Sequence, residues 1–387
     1  MGTMLRSKLP AVGTTIFTRM SALAAEHGAL NLSQGFPDFE PPAALLEALA
    51  QQARDGNHQY APMAGIGELR EQVARQLAGY RGVTCDPDTE ITIVPGATEG
   101  IFCAITACVR ADDEVILLDP CYDSYEPAIT LAGGRAVHVP LLPGSFSVDW
   151  QRVADAVTPR TRMIIVNSPH NPTGSVLSAG DLRELESLAL RHDLLVLSDE
   201  VYEHLVFDGR EHHSVLQSPA LRERSFAVFS FGKTYSVTGW KTGYSVAPAA
   251  LTGELRKVHQ FVNFVGATPI QNVGAYGQEV ASVIDGVRVL EARHATGMHD
   301  DVLLDEGELV GARHDPVVAS VAGDALGVLR VARARAVETH PVHQRALLAV
   351  DPDVDDRQRV PGGRALVPQL VARAAPVVRL AARQGGV

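Results

Sequence analysis

From Glu90 to Phe229 the chain alternates short apolar runs with helical stretches, and this alternation restricts the folds open to it. Strand-like runs fall at 91–94, 114–118, 136–139, 163–167, 194–198 and 226–229. Helical periodicity occupies 100–109, 125–132 and 179–192 between them, with two further helical patterns upstream at 42–55 and 66–80. Strands that alternate with helices predict an α/β fold, a mostly parallel sheet covered by helices on both faces. In such sheets ligands gather at the carboxyl ends of the strands, so the residues just past each run are the first candidates for chemistry.

At 387 residues the chain predicts two structural units, because single cores stop growing near ~250–300 residues. A hydrophobic content of 46% and a charged content of 20% describe an ordinary globular protein. The net charge of −11 argues against nucleic acid as a partner. No run of about 18 uninterrupted apolar residues predicts a membrane span. The first ten residues lack the apolar core of a signal peptide, and the expectation is a cytoplasmic protein. Cys85, Cys103, Cys108 and Cys121 show no paired spacing, which predicts free thiols rather than a zinc site, Cys103 and Cys108 in apolar surroundings.

The segment Ser230-Phe-Gly-Lys-Thr-Tyr-Ser-Val-Thr-Gly-Trp-Lys-Thr-Gly-Tyr244 carries two of the four lysines, just past the last apolar run. A lysine drawn into a buried site favours its neutral, nucleophilic amine, the form that makes Schiff bases. Ser230 and the second lysine suit an anion, most simply a phosphate. Schiff base plus phosphate is what pyridoxal 5′-phosphate (PLP) requires of a protein. The plain alternative is a surface loop with two solvated lysines.

Four more motifs sit at strand ends. Pro95-Gly-Ala-Thr-Glu-Gly100 follows a strand and opens a helix, a place where backbone amides hold phosphate. Asn167-Ser-Pro-His-Asn-Pro-Thr-Gly174 is either a plain turn or a loop that presents the Asn171 amide to a phenolic oxygen. Ser198-Asp-Glu-Val-Tyr202 places Asp199 at the tip of a buried strand. A carboxylate there is costly unless paired, and a protonated pyridine nitrogen is a fitting partner, a helix cap being the alternative. Tyr202, three residues on, could reach the same phenolic oxygen. Tyr122 follows the run ending at Leu118 and serves either as core or as a stacking wall.

On these motifs, together with Asn31-Leu-Ser-Gln-Gly-Phe-Pro-Asp-Phe39 and Gln59-Tyr-Ala-Pro-Met63, residues 7–276 resemble the fold-type-I PLP aminotransferases of class I/II. The methionine and kynurenine (glutamine-type) branch is the most similar. The resemblance implies that Lys233 forms the Schiff base and then shuttles the substrate α-proton. It implies Asp199 on the pyridine nitrogen, Asn171 and Tyr202 on the 3′-oxygen, and Ala97, Thr98, Ser230 and Lys241 on the phosphate, with Tyr122 stacked on the ring. Gly35 and Phe36 would border the substrate. Tyr60 would reach the phosphate, and Phe264 the substrate pocket, of a neighbouring subunit in a homodimer. The implied reaction is ping-pong transamination between an amino acid (methionine, aromatic or kynurenine-like) and a 2-oxo acid. The alternatives are a carbon–sulfur β-lyase and a PLP-binding protein with impaired catalysis.

The tail departs from this pattern. All 2 Trp, 8 Tyr and 11 Phe lie at or before Tyr276, and residues 277–387 hold no Phe, Trp, Tyr, Lys, Asn or Cys. Aromatics normally dominate core burial. The resemblance calls for an arginine in an Arg-Phe-x-Phe-like strand to grip the substrate carboxylate, and no such strand follows Gly277; Arg330 and Arg333 lie in an Ala/Val-rich stretch and receive no role. The expected organisation is an irregular arm over 1–45 that also forms part of a small domain, a large PLP-binding domain over 46–276, and an atypical segment over 277–387 where the C-terminal small domain belongs. That segment is either an aromatic-poor helical region or a GC-rich gene read out of frame.

Overall fold

The computed structural model describes residues 6–31, 33 and 40–275. Among these, seven strands form one sheet: β1 (Ile91–Val94), β2 (Glu114–Asp119), β3 (Arg135–Pro140), β4 (Thr161–Asn167), β5 (Leu195–Asp199), β6 (Ser225–Ser230) and β7 (Gly243–Val246). Their spatial order is β1-β7-β6-β5-β4-β2-β3. Strands β2 to β6 pair in parallel, and β7 runs antiparallel to both β1 and β6. The mostly parallel α/β sheet expected from the sequence is therefore present.

The helices are α1 (Ile16–Glu26), α2 (Ala43–Asp55), α3 (Gly67–Arg81), α4 (Ala97–Cys108), α5 (Tyr125–Ala132), α6 (Trp150–Asp155), α7 (Ala179–His192), α8 (Pro219–Arg222), α9 (Phe231–Thr234) and α10 (Ala249–Val262). Residues 268–275 are also helical. Local chemistry sets several of these limits. Ser178 and Asp181 form a reciprocal capping box at the start of α7, and α3 stops at the left-handed Gly82.

Two apolar layers enclose the sheet. Ile116, Ile164, Val196 and Phe229 pack with α3 and α7 on one face. Leu117, Ile165, Leu197 and Val228 pack with α4, α5 and α10 on the other. Alternate residues of each strand thus enter opposite layers, and burial on both faces explains why β4, β5 and β6 read as unbroken apolar runs. Burying a side chain such as Phe229 contributes about 1.5–3 kcal/mol. At the amino end of β2 the enclosed Glu114 carboxylate accepts from Arg135, Arg160 and Thr158.

Three expectations need correction. The arm over 1–45 is not wholly irregular: Thr15 accepts from the Thr18 amide and starts α1, whose helix-forming Ser-Ala-Leu-Ala-Ala run sustains it. The turn-rich stretch after Ser230 contains a strand, β7, which returns the chain to the sheet beside β6. Cys103 is buried, but its thiol meets a polar group: it donates to Glu99 Oε1 at 3.0 Å, and His259 Nδ1 lies 2.8 Å from the same oxygen. All four cysteines are free. Gly35, Phe36, Arg330, Arg333 and the tail from 277 lie outside the described residues. No described helix is long and apolar enough to cross a membrane.

Candidate active site

The carboxyl ends of β1, β2, β4, β5 and β6, and the start of β7, carry Ala97, Thr98, Tyr122, Asn171, Asp199, Tyr202, Ser230, Lys233 and Lys241 at or just past one end of the sheet. The first part is built to hold an anion. Gly96 caps α4 at φ +79, a conformation that glycine adopts freely, and no side chain caps that terminus. Its first amides therefore stay open to a ligand, at the positive end of the helix dipole. A Cβ built on Gly96 would come within 3.1 Å of Lys241 Nζ, so the ammonium sits directly against the helix start. A Cβ on Gly243 would meet Phe229 O at 2.3 Å and Ala97 N at 3.2 Å, so only glycine lets β7 approach this closely. An ammonium against a helix N-terminus places like charges together and calls for an anion between them. Ala97 and Thr98 open α4, while Ser230 ends β6 in register with Gly243.

The second part is the carboxylate of Asp199, only 4% exposed at the tip of β5. Burial pushes its pKa up to about 6, against the hydrogen bonds from Tyr125 and the Val201 amide that favour the ionised form. Tyr125 Oη donates to Asp199 Oδ2 at 2.6 Å. Asn167, at the end of β4, donates through Nδ2 to Asp199 O at 2.8 Å and accepts the Asn171 amide at 2.7 Å. One buried side chain thus fastens the Asn171 loop to the Asp199 strand.

The third part is the amine. Lys233 is half-buried in α9, with Nζ 5.4 Å from the centre of the Tyr202 ring. Burial lowers its pKa, the Lys241 charge lowers it further, and Asp199 opposes both. Burial raises the Tyr202 phenol, with the Asp199 charge adding to the effect. Tyr122 stands edge-on to Tyr125, ring centres 5.6 Å apart at 82°.

Behind this edge lies a charged layer that sequence reading did not anticipate. Arg81, on α3, pairs with Glu203, the two side chains being 2% and 6% exposed. Glu200 accepts from Ser198 Oγ at 2.9 Å and from the Val215 amide at 3.1 Å. These contacts pin the turn that carries Asp199 and Tyr202. Tyr125 and Asn167 also went unassigned. Their only signals were a polar residue closing an apolar strand and an aromatic at a helix start.

Tyr60 and Phe264 form an edge-to-face pair, 5.5 Å between centres. They are exposed by 82% and 40%, with Phe261 exposed by 84% nearby in sequence.

Taken together, the edge offers an anion cradle, a buried carboxylate suited to a cation, and a lysine with a depressed pKa. The family model for aminotransferase class I and II matches residues 28–282. The methionine aminotransferase of Escherichia coli K12 is 53% identical over 266 residues, 69% of either chain. A probable N-succinyldiaminopimelate aminotransferase of Mycobacterium tuberculosis is 41% identical over 299 residues, 76% of this chain and 75% of that one. The crystal structure of the E. coli protein YbdL, described as having a methionine aminotransferase function, superposes with a TM-score of 0.69 at 50% identity, covering 72% of each chain. The chain belongs to the aminotransferase class I and II family.

Proposed function

We propose that this aminotransferase uses PLP to move the amino group of methionine, or of another apolar or aromatic amino acid, to a 2-oxo acid. The observation that carries the reading is the placement of Lys233 between two oppositely charged demands: the Lys241-lined helix start on one side and the buried Asp199 on the other. The family implies PLP, and the residues present fit it. The cradle at Gly96 suits a phosphate, and Asp199 suits a protonated ring nitrogen. When bound, PLP supplies an aldehyde that links to amines and a ring that withdraws electrons from the substrate α-carbon.

The protein's own residues divide the remaining work. Lys233 would anchor the cofactor through Nζ, and the same Nζ would hold and move the substrate α-proton. Its depressed pKa suits it to this exchange near neutral pH. Asp199 keeps the ring nitrogen protonated. Asn171 and Tyr202 hold the 3′-oxygen, while Ala97, Thr98, Ser230 and Lys241 hold the phosphate. Tyr122 would lie against the ring. Gly35 and Phe36 border the substrate, and Tyr60 and Phe264 complete the site of a second subunit; the exposure of that aromatic pair supports this role. Methionine is favoured as donor by the similarity to the E. coli enzyme.

We further propose a large cofactor domain over 46–276 and an out-of-frame tail from about residue 277. The end of the family match at residue 282 supports this boundary. Reading the encoding DNA in all three frames tests it, and the proposal fails if neither other frame restores aromatic residues and strand–helix patterning.

The first experiment is the visible absorbance of the purified protein with PLP, before and after excess methionine. A working aminotransferase gains a band for lysine-bound cofactor, loses it on Lys233→Ala, and converts it with methionine as a 2-oxo acid appears. A band that ignores every amino acid offered would sink the catalytic reading and leave a PLP-binding protein. Release of ammonia and thiol would instead mark a β-lyase.

A further inference from the structure

We propose that Tyr125 is a positioning residue for the cofactor, acting through Asp199: its hydroxyl fixes the carboxylate in the ionised, oriented state that grips a protonated ring nitrogen. The inference rests on the reading of Asp199 given above.

The geometry is specific. Tyr125 opens α5 and is 2% exposed, with its ring in the apolar layer beside α4 and its oxygen turned to Asp199 Oδ2 at 2.6 Å. That length is typical of a hydroxyl donating to a charged carboxylate. The phenol is held protonated, because burial and the Asp199 charge both push its pKa well above the usual value. A carboxylate only accepts, so the pair has a fixed polarity, Tyr125 giving and Asp199 receiving.

Among the described residues, the second Asp199 oxygen accepts one bond, the longer one from the Val201 amide at 3.3 Å. Its backbone is held by Asn167. The carboxylate plane is therefore set by Tyr125 more firmly than by any other contact on the side chain. Tyr125 is also joined to the stacking candidate, since its amide donates to Tyr122 O at 3.2 Å and the two rings meet edge-on. One residue thus links the group under the ring nitrogen to the group against the ring face. The other ionisable neighbours of the pair are Glu200 and Lys233 on the Asp199 side, with Cys121 and Tyr122 on the Tyr125 side; Tyr202 lies close enough to feel the Asp199 charge.

The test is Tyr125→Phe, which removes one oxygen and keeps the ring. PLP affinity of the apoprotein is measured by titrating the visible band between pH 5 and 8. The Asp199 titration in the apoprotein is followed by carboxyl-carbon NMR. The expected result is PLP binding at least about tenfold weaker at neutral pH, the loss of a hydrogen bond to a charged group. The Asp199 midpoint should also rise above about 6. With Asp199→Asn already in place, adding Tyr125→Phe should change affinity by less than about twofold, because the two act as a unit.

Unchanged affinity and an unchanged Asp199 midpoint in Tyr125→Phe would overturn the inference. So would an equal affinity loss with and without Asp199→Asn, which would mark a packing role. A parent protein that forms no lysine-bound band overturns both this inference and the site reading. A parent that binds PLP normally beside an unaffected Tyr125→Phe variant overturns this inference alone.

Discussion

Replacing Arg81 by methionine should destabilise the protein by about 3–5 kcal/mol, the loss expected when one partner of a buried ion pair is removed. The figure is large against a typical total of roughly 5–15 kcal/mol. The structure gives two reasons to expect the upper half of the range. Arg81 and Glu203 are enclosed almost completely, and the Arg81 charge also acts on Glu200, itself 1% exposed. The substitution therefore strands two carboxylates. Burial already holds the Glu200 pKa above its usual value, with Arg81 the chief opposing influence. Without Arg81 it rises further. A group with a raised folded-state pKa supports the fold at low pH and withdraws that support as pH climbs through the raised value. The damage from Arg81→Met should thus be smaller at pH 5 than at pH 8. Urea denaturation of the apoprotein at both pH values is the assay. The combined variant Arg81→Met with Glu203→Leu should recover part of the loss, since an apolar pair no longer strands Glu203. A loss below about 1 kcal/mol at pH 8, or a larger loss at pH 5 than at pH 8, would refute the reasoning.

Three further outcomes are expected. Asp199→Asn should stabilise the apoprotein at pH 8 by up to about 3 kcal/mol, the linkage value of a carboxyl raised from 3.8 to about 6 by burial, with little gain at pH 4; denaturation curves against pH check this. Gly96→Ala should weaken PLP binding by tenfold or more and also lower the melting temperature of the apoprotein: alanine is strained at φ +79, and the end of Lys241 can yield to the new methyl only by leaving the cradle. Glu114→Gln should flatten the acid limb of the stability curve. The Arg135 hydrogen bond leads the contacts that hold the Glu114 carboxyl down to about 2, so its contribution is present above the usual carboxylate range and lost as pH falls through that value.

Much of the sheet was legible because parallel strands covered on both faces cannot hide polar residues. The ends of β4, β5 and β6 showed as the points where apolar runs gave way to Asn167, Asp199 and Ser230. β7 escaped notice for the opposite reason. It is four residues long, includes a glycine and a serine, and lies within a stretch of turn formers, so its strand character comes from pairing with β1 and β6. Lys233 and Asp199 stood out because each follows or closes an apolar run, where strands of such a sheet end, although a solvated loop and a helix cap offered plainer readings. Tyr125 was not, because an aromatic at a helix start is what a core also requires. Arg81 and Glu203, separated by 122 residues, carried no local signal of their pairing.

The antiparallel return of β7 has a consequence for the order in which the site can assemble. Ser230 and Gly243 are partners in register, so the chain between them, bearing Lys233 and Lys241, closes a short loop on itself. Closing so short a loop sacrifices little chain entropy, and the partners it meets outside itself, Gly96, Ala97 and β1, lie earlier in the chain. The segment bearing both lysines can therefore organise while the C-terminal residues are still emerging from the ribosome. On the proposed reading, a defect confined to the tail would then leave a chain able to capture PLP without a finished substrate clamp.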